Sequence, residues 1–437
     1  MKLLIKNAVP LDADTNGAPP AARDIGVDGD TISFVGNAPD DFIPDETIGA
    51  SGCIAMPGLV NAHTHSAMTL LRNIADDLPF SDWLFGSVIP FENGLSARDI
   101  RFGAELAFCE MIRSGTTAFA DMYIFMDEIA EAAAEAGLRA NLSFGPITSS
   151  ARGSGQTVNE KACADFIGKW ENYGAGLIKT SVEIHSVFLY DLGAVRAAAA
   201  LAGELRAGVH IHVSESLSEQ NAIREKYGMT PTETCLDCGI LDIPAIAAHC
   251  VHVSESDIKI LADKKASAIH NPSSNLKLGN GIAPVLKLAA AGVNVALGTD
   301  SCASNNNLNM FEELHLAAIL HKGANADAAA LPAAEAIRMA TVNGALALGF
   351  YDAGLLRPGC KADIIIIETN RPHLAPLGKA APAVAYSAQA QDVRDVIVNG
   401  KILMRNRELK TLDEEKAMDY AKRRRGEEIF TPDIPRR

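Results

Sequence analysis

Two histidines at positions i and i+2 of a strand point to the same face. The chain carries that arrangement twice, as His63-Thr64-His65 and as His210-Ile211-His212, the second followed three residues later by Glu215. Other β-prone runs end in His185, His249, His270 and Thr299-Asp300. Any one buried histidine is most simply a satisfied core residue. Gathered at the same end of successive strands, these side chains are read as a divalent metal site. Neutral imidazoles plus one carboxylate suit zinc, with iron, manganese or nickel able to take the same donors. His63, His65, His212 and Asp300 are the expected ligands, around one ion per chain. His210 shares the inward parity of His212 but lies earlier on its strand, so it is read as a core residue or a support behind the ligands. His252 and His270 receive no role. His315, His321 and His373 fall on expected helices or loops and are read as packing or surface residues.

The elements that must position these groups follow from periodicity. From Pro57 to Phe350, eight apolar strand-like runs alternate with Ala/Leu/Glu-rich helical stretches: GLVNAHTH, TTAFADMY, RANLSFGPI, IKTSVEIHS, GVHIHVSES, AIAAHCVHV, SAIHNPSSN and VNVALGTDS. Several helical stretches end in Gly just before the next strand, as a helix C-cap and short connection require. Eight βα units predict an α/β fold, a (β/α)8 TIM-like barrel spanning 57–357. A doubly wound open sheet would bring a Gly-rich phosphate turn after its first strand, and none is present. Short β-prone runs broken by Gly and Asp mark both ends, LLIKNAVPL and DIGVDGDTISFVG against GCKADIIIIETN and DVRDVIVNGKIL. Segments 1–56 and 358–437 are therefore expected to form one small β-sandwich domain, the latter ending in a charged tail. In such a barrel, chemistry sits at the C-terminal ends of the strands, where the histidines lie.

Composition excludes several other functions. The 437 residues carry 39 basic and 54 acidic side chains, a formal charge of −15, which argues against binding nucleic acid or anionic membranes. The basic run Lys422–Arg425 is read as a solvated helix face. No apolar run reaches the roughly 20 residues of a membrane span. MKLLIKNAVPLDADT lacks the apolar stretch of a signal peptide, so a cytoplasmic protein is expected. The eight scattered cysteines are expected to be free thiols. Cys235 and Cys238 form a lone CxxC, read as two small residues on one helix face.

HTH after PGLVNA, the HCVH segment, HNPSSNLKLGNGIAPV and LGTDSCASNNNLNMFEE resemble the amidohydrolase superfamily and, within it, the 5-methylthioadenosine/S-adenosylhomocysteine deaminases. The likeness covers nearly the whole chain, including GCKADIIIIE. It implies a metal bound by His63, His65, His212 and Asp300, the metal lowering its water's pKa from about 16 towards roughly 7. It further implies that Glu215 protonates the purine ring nitrogen beside the amino-bearing carbon, that His249 orients the attacking water, and that Asp300 takes its proton. A placed Glu contributes on the order of 10²–10⁴ to such a step. Two-metal hydrolases of this architecture bridge their ions with a modified lysine at the end of strand four. That end is His185 here, with Lys179 near the opposite rim, so a mononuclear site is expected.

The resemblance also implies a substrate, an adenine nucleoside hydrolysed to its inosine derivative and ammonia. SAMTLLRNIADDLPFSDWLFGSVIPFENG, after the first strand, covers the barrel mouth and supplies Trp83 and Glu92 to the nucleoside pocket. Glu92 would accept both ribose hydroxyls, His185 would touch the purine and Ser304 would lie near the 5′ end of the ribose. Members acting on S-adenosylhomocysteine place arginines at the end of strand three and in the following loop. Here the strand offers Phe144 and the loop only Arg152, which moves 5′-methylthioadenosine, 5′-deoxyadenosine and adenosine ahead. The alternative substrates are free bases, pterins or triazines, for which Glu92 has no ribose to hold. A scaffold that kept the ligands and lost the chemistry is disfavoured by Glu215 and His249. The resemblance is compatible with a homo-oligomer.

Overall fold

The structure, a computed structural model, describes residues 1–12, 21–149 and 155–426. Arg152 lies outside the described residues. Eight parallel strands form the ring predicted from the sequence: Leu59–His65, Thr116–Met122, Arg139–Phe144, Ile178–Glu183, Gly208–Val213, Ala245–His249, Ser267–His270 and Asn294–Leu297. Each pairs in parallel with the next. A ninth piece, Asp300–Ser301, continues the eighth strand and pairs with Thr64 and His65 of the first, which closes the ring. Between them Gly298 passes so near the first strand that a Cβ there would lie 2.8 Å from the His63 backbone nitrogen. Only glycine lets the eighth strand approach that closely.

The connecting helices are set by local chemistry. Ser96 and Asp99 form a capping box on Ala97–Arg113, and Ser254 and Asp257 do the same for Glu255–Asp263. Gly137, at φ 78°, ends Met126–Ala136 in a left-handed cap two residues before the third barrel strand. Over the mouth, the segment after the first strand is coiled into short helical pieces: Ser66–Leu71, Phe80–Trp83, Leu84–Val88 and Ile89–Glu92.

The chain ends build a second nine-stranded sheet, in which Cys53–Pro57 of the N-terminal part pairs antiparallel with Ile364–Glu368 of the C-terminal part. Its N- and C-terminal halves share one core of Leu3, Ile5, Ile25, Ile48, Ile364, Ile366 and Ile397. Arg139, 1% exposed at the foot of the third barrel strand, grips Asp363 through Nε (2.6 Å) and a terminal guanidinium nitrogen (3.1 Å) and ties this sheet to the barrel.

The basic tail differs in part from the solvated face expected of it. The helix Glu414–Gly426 packs on Ala97–Arg113, where Phe102 and Tyr420 stack with ring centres 4.1 Å apart. Arg424 Nε donates to Asp99 at 2.6 Å and Arg425 reaches the Arg72 carbonyl at 2.8 Å. Arg424 and Arg425 thus find partners on the barrel, while Lys422 and Arg423 are exposed as expected. Among the described residues no helix is long and apolar enough to cross a membrane. All eight cysteines are free, and Cys235 and Cys238 are buried in the main core.

Candidate active site

His63 and His65 end the first barrel strand, His212 lies one residue before the end of the fifth, and Asp300 opens the piece that closes the ring. Their side chains converge. His65 Nε2 is 3.3 Å from His212 Nε2 and 3.4 Å from Asp300 Oδ1, and His63 Nε2 is 3.5 Å from the same oxygen. Donors about 2.1 Å from a common centre in a tetrahedron are spaced by about 3.4 Å, so these residues fit a divalent ion. His63 Nε2 is buried without a hydrogen-bond partner among the described residues, an orphan that such an ion satisfies.

The far side of each ring fixes which nitrogen faces the centre. His65 Nδ1 sits 2.7 Å from the Met122 carbonyl and His212 Nδ1 2.8 Å from the His185 carbonyl. A carbonyl can only accept, so both Nδ1 atoms carry the hydrogen and both Nε2 lone pairs point inward. His63 Nδ1 meets His210 Nε2 at 2.9 Å, and His210 Nδ1 meets the Ser143 hydroxyl at 3.1 Å. His210 thus stands behind His63, deeper in the barrel. Burial pushes His63 down to about 4 and His212 well below the imidazole range, so the rings are neutral and competent as donors. Asp300 is held from outside. Its Oδ2 accepts from the Ser274 hydroxyl at 2.6 Å and from Ser304 at 2.9 Å, and Oδ1 from the Ser301 amide at 2.8 Å.

Beside this cluster stand Glu215 and His249, the latter with a ring nitrogen within 4.8 Å of donor atoms of His63 and Asp300. His249 Nε2 lies 3.9 Å from Glu215 Oε2. His249 Nδ1 faces Asn275 Oδ1 at 2.8 Å, and Glu215 Oε1 accepts from Asn280 at 3.1 Å. Burial raises the Glu215 carboxyl above the usual range, which favours the protonated form. His249 and Asp300 have φ of 72° and 61°, left-handed backbone that is costly for either residue type and concentrates at functional sites.

The cluster opens into a cavity whose wall includes Trp83, Glu92, His185 and Glu215. Trp83 Nε1 donates to the Ala303 carbonyl at 3.2 Å, pinning the mouth segment to the loop after the eighth strand. Burial pushes Glu92 up to about 7, against the Tyr123 hydroxyl beside it. Ser304, expected at the ribose, is instead fully buried and bonded to Asp300, while Ser301 reaches the cavity wall. Lys179 is bonded to Glu171 and Asn172, away from the cluster. His321, read as packing or surface, is buried and touches His270 at 3.2 Å. Ser274, Asn275 and Asn280 had no assigned role in the sequence. Their signal is the single segment Asn271–Asn280, which reaches Asp300, His249 and Glu215 together.

Residues 54–403 match the profile of the amidohydrolase family. The chain is 50% identical over 420 residues to the 5-methylthioadenosine/S-adenosylhomocysteine deaminase of Acetivibrio thermocellus, covering 95% of this chain and 97% of that protein. It is 46% identical to the protein of the same name from Thermoanaerobacter pseudethanolicus, with 97% and 98% covered. Among solved structures, an adenosine deaminase from Xanthomonas campestris with bound zinc superposes with a TM-score of 0.92 at 33% identity, covering 97% of this chain and 98% of that one. Atrazine chlorohydrolase TrzN from Arthrobacter aurescens TC1, complexed with zinc, gives 0.89 at 26% identity, with 96% and 99% covered. With most of its length inside the family profile and relatives this similar from end to end, the chain belongs to the amidohydrolase family, among the 5-methylthioadenosine/S-adenosylhomocysteine deaminases.

Proposed function

We propose that the protein is a hydrolytic deaminase that converts an adenine nucleoside, 5′-methylthioadenosine first, to its inosine derivative and ammonia. The observation that carries the reading is the placement of Glu215 and His249 beside the His/Asp cluster, at one end of a cavity that Trp83 and Glu92 help to line. His63, His65, His212 and Asp300 would hold one divalent ion, and zinc suits three imidazoles and a carboxylate. Such an ion supplies Lewis-acid activation of water at neutral pH.

The chain's own groups do the rest. Glu215, whose carboxyl burial shifts upward, gives its proton to the ring nitrogen beside C6, so that charge does not build up on the purine as water adds. Asp300 takes the proton that the water loses. Asn275 fixes the His249 ring, whose Nε2 faces Glu215 and orients the attacking water. The amino group then takes the proton held by Asp300 and leaves as ammonia, the C6 hydroxyl returns a proton to Glu215, and a carbonyl remains at C6. Trp83 and His185 wall the base, and Glu92 accepts from the ribose hydroxyls. The homo-oligomer compatible with the resemblance belongs to the same proposal and is read by light scattering.

The test is turnover of 5′-methylthioadenosine, S-adenosylhomocysteine, 5′-deoxyadenosine, adenosine, adenine and guanine, followed by ammonia release and the purine absorbance change. Metal content is measured on the same sample. Nucleoside turnover without base turnover is expected. Fold similarity to the triazine hydrolase favours a second reading, a triazine or free-base aminohydrolase. Activity on bases or triazines that survives Glu92→Ala would establish it instead.

A further inference from the structure

The active-site cavity has a second end. Its wall includes Glu183 as well as Glu92, and an adjoining cleft shares Tyr123, Ile124 and Glu183 with it and is lined further by Phe144 and Tyr190. On the deaminase reading, on which this inference rests, the purine C6 lies at the His/Asp cluster and the ribose on Glu92. The 5′ arm of the nucleoside is then the part left to extend toward Glu183.

Glu183 ends the fourth barrel strand, two residues before His185 and on the same face. Its carboxylate fills space left by a glycine at the end of the third strand: a Cβ on Gly145 would lie 2.9 Å from Glu183 Oε2. Among the described residues no hydrogen-bond donor or cation meets this carboxylate. The charged groups that act on it are Glu92 and Asp121, both of its own sign, and with burial they push it up to about 8. Glu128 also lines the cleft, as does Asp127, which is paired with Lys169 at 2.9 Å. Ionised above about 8, Glu183 would oppose a carboxylate on the 5′ arm, for which the cleft lining offers no cation among the described residues. An ammonium would supply the donor and the charge that Glu183 lacks.

We propose that Glu183 sets specificity at the 5′ end of the nucleoside, admitting 5′-thioether substituents that are neutral or end in an ammonium and discriminating against those that carry a carboxylate. Two substrates isolate this term. S-adenosylhomocysteine and its decarboxylated analogue, 5′-(3-aminopropylthio)-5′-deoxyadenosine, share the thioether and the amine and differ by one carboxylate.

The experiment measures kcat/KM for this pair and for 5′-methylthioadenosine at pH 9, where Glu183 is ionised, with metal-loaded full-length protein, wild type and Glu183→Gln. The wild type should favour the decarboxylated analogue over S-adenosylhomocysteine by at least tenfold, and Glu183→Gln should shrink that ratio at least fivefold. Equal rates for the pair in the wild type, or a ratio unchanged in the variant, overturns the proposal. Should Glu183→Gln fail to fold, the inhibition constants of the two compounds against 5′-methylthioadenosine turnover by the wild type decide it by the same ratio. Absence of 5′-methylthioadenosine turnover by the metal-loaded wild type would remove the deaminase reading itself. Turnover without discrimination removes only the role of Glu183.

Discussion

Asn275 Oδ1 lies 2.8 Å from His249 Nδ1. With the amide oxygen facing it, the ring nitrogen donates, and the opposite nitrogen is turned into the cavity toward Glu215. Asn275 is therefore a positioning residue, acting through His249. Supports of this kind typically contribute 10–100-fold. Asn275→Ala should lower kcat by roughly that factor with metal content unchanged, whereas Asn275→Asp, which keeps the acceptor, should retain more activity. A shift in KM alone would mean that Asn275 serves the pocket wall.

Glu215 makes a sharper prediction. Its half-buried carboxyl accepts from Asn280 and lies 3.9 Å from His249 Nε2, apart from the four expected ligands, so its removal should leave that set intact. Glu215→Gln should reduce kcat by about 10²–10⁴ while the protein still binds a full equivalent of metal. His212→Asn should lose activity and metal together. Metal loss in Glu215→Gln would show that Glu215 belongs to the ligand set.

Removing the ion should also cost stability. An ion that binds only the folded chain stabilises it by mass action. The cluster brings together residues from the first and fifth strands and the ring-closing piece, so chelation should lower Tm and abolish turnover, and zinc should restore both. Calorimetry before and after dialysis against a chelator checks this; an unchanged Tm would show that the four residues pack as well without an ion.

The barrel was legible because strand and helix periods alternate eight times, and the metal ligands because i and i+2 on a strand must share a face. Asn275, Glu183 and Arg139 were not legible, for a common reason. Each matters through a partner distant in the chain: Asn275 through His249, Glu183 through the gap at Gly145, Arg139 through Asp363, 224 residues away. Local pattern carries no sign of such pairing. Ser304 was misplaced because a motif gives its residues an order but not the direction of each hydroxyl, and this one turns back to Asp300. The pairing of Arg424 left no local sign because its anionic partner Asp99 lies 325 positions earlier.

Arg139 and Asp363 give a test remote from the chemistry. Both are almost fully buried, and the guanidinium also bonds the Asn399 side chain at 3.1 Å. Removing one partner strands the other charge in the interior. Arg139→Ala should cost about 3–5 kcal/mol, read by denaturant unfolding. The double variant Arg139→Met with Asp363→Leu should recover part of that loss. No recovery would show that packing rather than the stranded charge dominates.

Glu92 predicts a pH dependence of a defined sign. Its carboxyl, held at about 7 by burial against the Tyr123 hydroxyl, is neutral below that pH and charged above it. The charged form can accept from both ribose hydroxyls, whereas the neutral acid has one oxygen occupied by its own proton. Nucleoside affinity should therefore rise as pH increases through about 7, mainly as a fall in KM. In the free protein the linkage runs the other way. The folded-state value lies above the ordinary glutamate range, so the stability contributed by Glu92 is present below that range and is lost as pH rises through about 7. Bound nucleoside should thus raise Tm more at pH 8 than at pH 6. Glu92→Gln should flatten both trends and raise KM roughly 10- to 100-fold, the range for hydrogen bonds to a charged group. The same pH trends in Glu92→Gln would assign them to another group and leave Glu92 without contact to the ribose.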